Sequence, residues 1–137
     1  MKYLNLLLQV CFFVVLVIVI WSAGPYLETK FMPVYSRFDA VTIEPHDDGT
    51  LVKFQYTKLR NCDPQGFSFF EGDIGASFRQ IVVQPLATLP NPRPVGEQVS
   101  LPYLFRGISP TTFRRNVFGE IYNRCHPLWT TRSVIYP

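Results

Sequence analysis

The sequence predicts a mainly β protein, in which one N-terminal transmembrane helix precedes a small antiparallel β-sandwich that is either Ig-like or a partly open barrel. Three observations predict this fold class. An uncharged apolar run extends from Leu6 to Ala23. Beyond it, short segments alternate apolar and polar residues with a period of two, which is typical of strands with one buried face. Turn residues, mostly glycine and proline, separate these segments, as expected for a small antiparallel domain.

The apolar run is long enough to form a membrane-spanning helix. At 1.5 Å per residue, Leu6 to Ala23 rises about 27 Å, which is close to the roughly 30 Å thickness of the hydrocarbon core. Tyr3 and Trp21 lie near its two ends, where amphipathic rings favour the headgroup region. We therefore predict that residues 1–23 anchor the chain in the lipid bilayer and that these two rings lie at its interfaces.

A cleaved signal peptide is the competing interpretation, because Lys2 precedes the run and the small residues 22–24 follow it. The run is long for a signal peptide, however, and Pro25 directly follows the site where cleavage would occur. Charge does not decide the orientation, since Lys2 stands on one flank and Lys30 and Arg37 on the other. The short N-terminal tail and the later cysteines favour a single-pass cell-membrane protein with a cytoplasmic N-terminus and a periplasmic or extracellular C-terminal domain.

Residues 24–33 are predicted to form a stalk between the anchor and an exterior β domain, residues 34–137. Pro25 and Pro33 disfavour regular helix in this stretch. Glu28 to Lys30 between them is polar enough to leave the membrane surface. The stalk is therefore expected to be non-helical.

A hairpin is the clearest pattern in the exterior domain. Residues 40–44 and 51–60 alternate with a period of two, and Pro45 to Gly49 between them contains the Asp-Gly pair of a tight turn. Pro102 places one of the later strands at a sheet edge or a bulge, because proline cannot donate to a strand ladder. The later strands are predicted at 78–84, 99–105, 119–125 and 129–136, with an extended Pro-rich connection at 85–96 and a helical turn near 109–115.

Cys62 and Cys125 are the only cysteines of the exterior domain, and each follows a basic, strand-like segment. An even number of cysteines in an oxidising compartment favours a disulfide between them, which would close a long loop. A nucleophilic Cys125 with His126 as its base is the alternative. Neighbours within a strand point to opposite faces, so His126 is poorly placed for that role.

Composition and motifs argue against several function classes. The net charge of +3 comes from scattered basic residues, whereas nucleic-acid binding needs a denser basic stripe. His46, Asp47 and Asp48 form a polar turn more readily than a metal site. The acidic residues offer many possible catalytic pairs, but nothing in the sequence singles one out. We therefore predict no catalytic residue, no metal, no cofactor and no nucleic-acid partner.

Aromatic residues are the remaining candidates for binding. Burial is the default in so small a core, because aromatic rings supply much of its apolar area. Rings left exposed around the Pro-rich connection would instead contact a partner. The candidate partner contacts are Phe67, Phe69, Phe70, Pro92, Arg93, Trp129 and Tyr136.

Two segments around the cysteines carry a resemblance to other proteins. They read Tyr56-x-Lys58-x-Arg60-x-Cys62 and Arg124-Cys125-His126-Pro-Leu-Trp129-x-Thr131. Together they resemble uncharacterised small single-pass membrane proteins of phage and bacterial genomes. The resemblance covers only the later strands and their cysteines. It implies a membrane-tethered β domain and assigns no catalytic residues.

Two functional hypotheses follow from the sequence. The first is a membrane-anchored accessory or interaction protein, whose β domain binds a partner protein or a second copy within a larger membrane or virion assembly. The combination of an anchor, a short connection and no recognisable catalytic motif motivates it. The alternative is a membrane-tethered envelope enzyme or a glycan-binding domain that uses carboxylates or exposed aromatic rings.

Overall fold

The computed structural model describes residues 2–87 and 93–137, and it contains one long helix followed by two antiparallel sheets. It confirms the predicted fold class: the chain is mainly β, and the described strands form a sandwich-like pair of sheets and no closed barrel. The helices and strands are α1 (Lys2–Phe31), β1 (Asp39–His46), β2 (Gly49–Lys58), β3 (Asp63–Gly72), β4 (Phe78–Ile81), β5 (Val83–Pro85), β6 (Gly96–Val99), β7 (Tyr103–Arg106), α2 (Pro110–Asn116), β8 (Val117–Arg124) and β9 (Thr131–Tyr136).

Helix α1 is long and apolar enough to cross a membrane. Its side chains from Tyr3 to Ser22 are all exposed and make no core with the β domain. The prediction of a non-helical stalk is wrong, because α1 continues through Pro25 to Phe31. Proline inside a helix costs about 3 kcal/mol. The last two turns of α1 pack against the β domain, and these contacts offset that cost.

The two sheets are joined along one side by a strand that changes sheet. The first sheet has the order β1-β2-β7-β5, with β6 also paired to β2, and the second has the order β4-β3-β8-β9. The chain passes from β4 to β5 at Val82, so the predicted single strand at 78–84 is two short strands. On the opposite side, the backbone N–H of Phe38 donates to the carbonyl of Ile135 at 2.7 Å.

The core lies between the sheets and consists largely of aromatic rings. Phe54 of β2 stacks on Phe69 of β3, and Phe105 of β7 packs edge-on against both Phe69 and Phe113. Phe113 enters the core from α2, which occurs where a helical turn was predicted. Ser109 caps that helix through its hydroxyl and Pro110 occupies its first turn.

The strand predictions are confirmed at the hairpin and at the C-terminus. β1 and β2 pair across the turn at residues 47–48, and β8 pairs with β9. The predicted strand at 99–105 is wrong as a single strand. Ser100 leaves the ladder to donate its backbone N–H to Phe54, whose own N–H donates to the Ser100 hydroxyl. β6 and β7 therefore pair with different parts of β2.

Strand β3 was not predicted, because glycines interrupt its apolar alternation. It nevertheless pairs with both β4 and β8, with an irregularity in register between Pro64 and Gly66. The ladder to two neighbours stabilises a segment whose own strand propensity is weak. Part of the predicted Pro-rich connection, residues 88–92, lies outside the described residues.

The segment after α1 is hydrogen-bonded to the β domain from its first residues. The N–H of Leu59 donates to the carbonyl of Val34 at 2.8 Å, and the N–H of Ser36 donates to the carbonyl of Thr57 at 2.9 Å. Val34 is also buried. The helix and the domain are therefore joined by ordered chain.

Candidate functional site

A buried carboxylate joins the end of α1 to the β domain. Glu28 is only 7% exposed, although it lies in the short polar stretch that ends the helix. Its Oε1 accepts from an Arg60 guanidinium nitrogen at 3.1 Å. Its Oε2 lies 2.9 Å from Nε2 of His126 and accepts from the indole N–H of Trp129 at 2.8 Å. We call Glu28, Arg60, His126 and Trp129 the junction cluster.

Three separate parts of the chain bring these residues together. Glu28 belongs to α1, Arg60 follows β2, and His126 and Trp129 lie in the connection from β8 to β9. The disulfide between Cys62 and Cys125, which the structure contains as predicted, links the second part to the third. The partners of Glu28 therefore lie within four positions of one of the two bonded cysteines in sequence.

The helix also packs closely on the ring of Trp129. A Cβ atom added at Gly24 would lie 2.6 Å from Cη2 of that ring, so only glycine permits this approach. The Trp129 ring contacts Trp21 edge-on, with 6.4 Å between ring centroids, and His126 edge-on at 4.4 Å. Arg60 adds a bond to the carbonyl of Met32 at 2.7 Å, where α1 ends.

The geometry of the junction cluster is that of a structural contact. Both oxygens of the carboxylate are engaged by donors from the β domain. Hydrogen bonds to charged groups are worth about 1.5–3 kcal/mol, and a buried carboxylate needs such partners. The cluster therefore fixes the orientation of α1 relative to the β domain.

A second feature is a half-open cleft between the sheets, which we call the aromatic cleft. It has a volume of about 70 Å³. Ser100 and two isoleucines contribute to its walls beside the rings. The rings that line it are Tyr35, Phe38, Phe54, Tyr56, Phe67, Phe69 and Tyr103.

One basic side chain, Arg93, lies at the rim of the aromatic cleft, beside Tyr56. The guanidinium of Arg93 donates to the hydroxyl of Tyr56 and lies 5.9 Å from the centroid of its ring. Burial raises the pKa of Tyr56, so its hydroxyl remains protonated at neutral pH. Lys58, itself buried, donates to the carbonyl of Arg93 at 2.7 Å and to the side chain of Asn61 at 3.2 Å.

A second buried carboxylate lies on the outer face of the second sheet. Glu120 of β8 is 1% exposed and accepts two bonds from the guanidinium of Arg132 in β9. The hydroxyl of Tyr122 donates to it at 3.2 Å. The bond to Glu120 raises the pKa of Arg132. Burial, reinforced by the charge of Glu120, raises the pKa of Tyr122.

The candidate partner contacts occupy different environments. Phe69 and Tyr136 are buried in the core, which removes them from the surface available to a partner. Phe67 is 41% exposed at the edge of the aromatic cleft, and Phe70 packs with Phe78 and Phe118 on the outer face. Arg93 lies at the cleft rim, Trp129 lies in the junction cluster, and Pro92 lies outside the described residues.

The remaining predicted positions lie on α1 and in the turn between β1 and β2. Tyr3 and Trp21 are exposed on α1. His46 lies in the exposed turn between β1 and β2, where its Nδ1 accepts from the N–H of Asp48. Within residues 2–87 and 93–137, no group of three or more His, Cys, Asp or Glu side chains is placed to hold a metal ion.

Comparison with known proteins adds no assignment, because no protein-family model, curated protein or solved structure matches this chain. Sequence reasoning did not anticipate the role of Glu28. Its signal was present in the sequence as an acidic residue one turn beyond Gly24, near the end of an apolar run.

Proposed function

We propose that the chain is a membrane-anchored accessory protein, with α1 in the cell membrane and the β domain bound to a partner protein in a larger membrane or virion assembly. The N-terminus is cytoplasmic and the β domain lies in the periplasmic or extracellular space. The Cys62–Cys125 disulfide supports that side, because disulfides persist in oxidising compartments.

The junction cluster is the main support for this proposal. A tethered enzyme or a domain that samples distant ligands gains from a flexible connection. Here the connection is helical up to Phe31 and is then held by bonds from Arg60, His126 and Trp129 to Glu28. A fixed orientation of the β domain above the membrane suits a subunit that docks against a neighbour in the same membrane.

The aromatic cleft supports a protein as the ligand. Its volume of about 70 Å³ is roughly half that of the ~150 Å³ cavity that holds a benzene ring. A sugar ring is larger than benzene and would not be enclosed. One small aliphatic side chain of a partner would fit, with Phe67 at the edge of the contact and Arg93 at the rim.

Site-specific crosslinking in the native membrane tests this function. A photoreactive amino acid at position 67, in the full-length chain, is expected to give a discrete protein adduct. The same group at position 74 is the control, because Ile74 is more accessible than Phe67, at 62% exposed against 41%. It lies in the turn between β3 and β4, at the opposite end of the sandwich from the junction.

Two results would contradict the proposal. One is a solitary monomer in mild detergent that gives no adduct from position 67. The other is saturable binding of cell-wall polymers, or their turnover, by the purified full-length protein. Either of these latter activities would establish the glycan-binding or enzymatic alternative in place of the accessory role.

A further inference from the structure

The end of the β domain nearest α1 carries an exposed apolar surface. Three of its residues project from the end of the helix: Leu27, Phe31 and Met32. Two belong to the β domain, Leu59 directly after β2 and Leu128 in the connection from β8 to β9. All five are between 46% and 69% exposed. We call these five residues the apolar collar. They come from three segments of the chain, but they all surround the junction cluster.

The length of α1 places this collar close to lipid. Its 30 residues rise about 45 Å. The hydrocarbon core takes up roughly 30 Å, and the full bilayer with its headgroup regions takes up roughly 40–45 Å. If Leu6 to Ala23 lie in the hydrocarbon, the last two turns of α1 run through the headgroup region. The part of the β domain that packs against these turns lies at the same depth.

The contact between the two tryptophans places part of the β domain at the depth of the headgroup region. Trp21 terminates the apolar run, and its ring centroid lies 6.4 Å from that of Trp129. A ring in direct contact with an interfacial tryptophan lies at nearly the same depth. Leu128 is the neighbour of Trp129 and is 54% exposed, so it lies at the same level.

The junction cluster is suited to that environment. The headgroup boundary is less polar than water, and an unpaired carboxylate there would be costly. Glu28 is satisfied by three donors from the β domain. Lys30 is exposed beside the collar, and its ammonium can reach lipid phosphates as lysines near helix ends do.

From these observations we propose that the apolar collar is a second membrane-binding surface, through which the β8–β9 connection enters the headgroup region of the bilayer beside α1. The partner of this surface is lipid. The inference rests on the proposed anchoring by α1, and it adds that the β domain lies against the membrane, with its opposite end, at the β3–β4 turn, directed away.

The two tryptophans of the chain provide the test. The full-length protein is reconstituted in phosphatidylcholine vesicles that contain lipids brominated at known depths, which quench nearby indole fluorescence. The variant Trp21→Phe leaves Trp129 as the reporter of the β domain, and Trp129→Phe leaves Trp21 as the reporter of the helix. We expect both reporters to be quenched, and Trp129 to be quenched most by bromines close to the headgroups.

The outcomes separate this inference from the anchoring itself. Quenching of Trp21 without quenching of Trp129 would overturn the inference and leave the anchor intact, since the β domain would then stand away from the lipid. Absence of quenching at Trp21 would overturn both. Because the vesicles contain no other protein, quenching of Trp129 would also show that lipid alone covers the collar.

A pair of substitutions in the Trp21→Phe background sharpens the result. Leu128→Asp is expected to reduce the quenching of Trp129, because a carboxylate opposes insertion at this depth. Ile74→Asp is the matched control, an equally exposed aliphatic residue at the opposite end of the sandwich, and should leave the quenching unchanged. Equal quenching in both variants would exclude an inserted Leu128.

Discussion

Glu28 and Glu120 are both buried carboxylates paired with an arginine, yet they connect different parts of the molecule. Glu120 and its partner Arg132 lie on adjacent strands of one sheet. Glu28 lies on a helix and its partners lie on two loops of the β domain. The first pair reinforces contacts that backbone pairing already makes, whereas the second joins a helix to a domain with which it forms no strand ladder.

Burial of a charge alone therefore does not reveal its role. Apolar packing and strand pairing specify the sandwich around Glu120 with or without its charge. The orientation of α1 has no strand pairing behind it. Besides Glu28, it is supported by the close packing of Gly24 on Trp129 and by the bond from Arg60 to the carbonyl of Met32. Loss of Glu28 should therefore change orientation more than stability, and loss of Glu120 should do the reverse.

Removal of the disulfide should have the largest effect, because it affects both the fold and the junction. The bond joins residues 63 positions apart, and closing a loop of that length is worth about 4 kcal/mol in the chain-entropy model. The double variant Cys62→Ala, Cys125→Ala is expected to lower the free energy of unfolding of the β domain by about that amount, measured by urea titration in detergent.

Cys11→Ala provides the control for this experiment, since Cys11 is free and exposed on the apolar helix. That variant should unfold at the wild-type urea concentration. Equal midpoints for the double variant and the wild type would show that the loops carrying Arg60 and His126 are held in place without the covalent link.

Glu28→Gln should release the helix from its fixed orientation. The substitution keeps the shape of the side chain but removes its charge, and it weakens bonds worth about 1–3 kcal/mol to the partner side chains. Spin labels at the native Cys11 and at an introduced Ile74→Cys measure the distance between helix and domain by pulsed electron resonance. We expect a narrow distance distribution in the parent protein and a broad one in Glu28→Gln.

Much of the fold could be predicted from the sequence, because it depends on local patterns. The apolar run, the Asp-Gly turn and the alternation around β1 and β2 each determine structure within a few residues. Strand β3 could not be found this way, since its pairing with β8 rather than its own composition stabilises it. The break at Ser100 likewise depends on bonds to Phe54, which is distant in sequence.

The candidate site was predictable only in part. The expected oxidising compartment and the even number of cysteines in the exterior domain were enough to predict the disulfide between Cys62 and Cys125. The stalk prediction failed because proline rules describe an isolated helix, whereas here tertiary contacts at Glu28 hold the segment helical. No local pattern indicates that Arg60 and His126 meet at one carboxylate, because that meeting depends on the three-dimensional approach of three segments.

Glu120→Gln is the counterpart that tests the contrast directly. Arg132 is 61% exposed, so water can replace part of the hydrogen bonding that its guanidinium loses. We therefore expect a decrease of about 1–2 kcal/mol in the free energy of unfolding. The distance distribution between labels at positions 11 and 74 should stay narrow. A broad distribution here would mean that sheet stability, and not the junction cluster, sets the orientation of the helix.

Gly24→Ala should have the smallest effect on stability and still alter the orientation. The new methyl group would have to displace the Trp129 ring, and overpacking of this kind costs about 1–3 kcal/mol. Alanine also favours the helix over glycine by about 1 kcal/mol, so the net decrease in the free energy of unfolding should be about 1 kcal/mol.

Ser22→Ala, an exposed position on the same helix, is the control. A shift of the label distance in Gly24→Ala but not in Ser22→Ala would show that contact with Trp129 positions the helix independently of the charge on Glu28. An unchanged distance would leave the carboxylate as the determinant of that orientation.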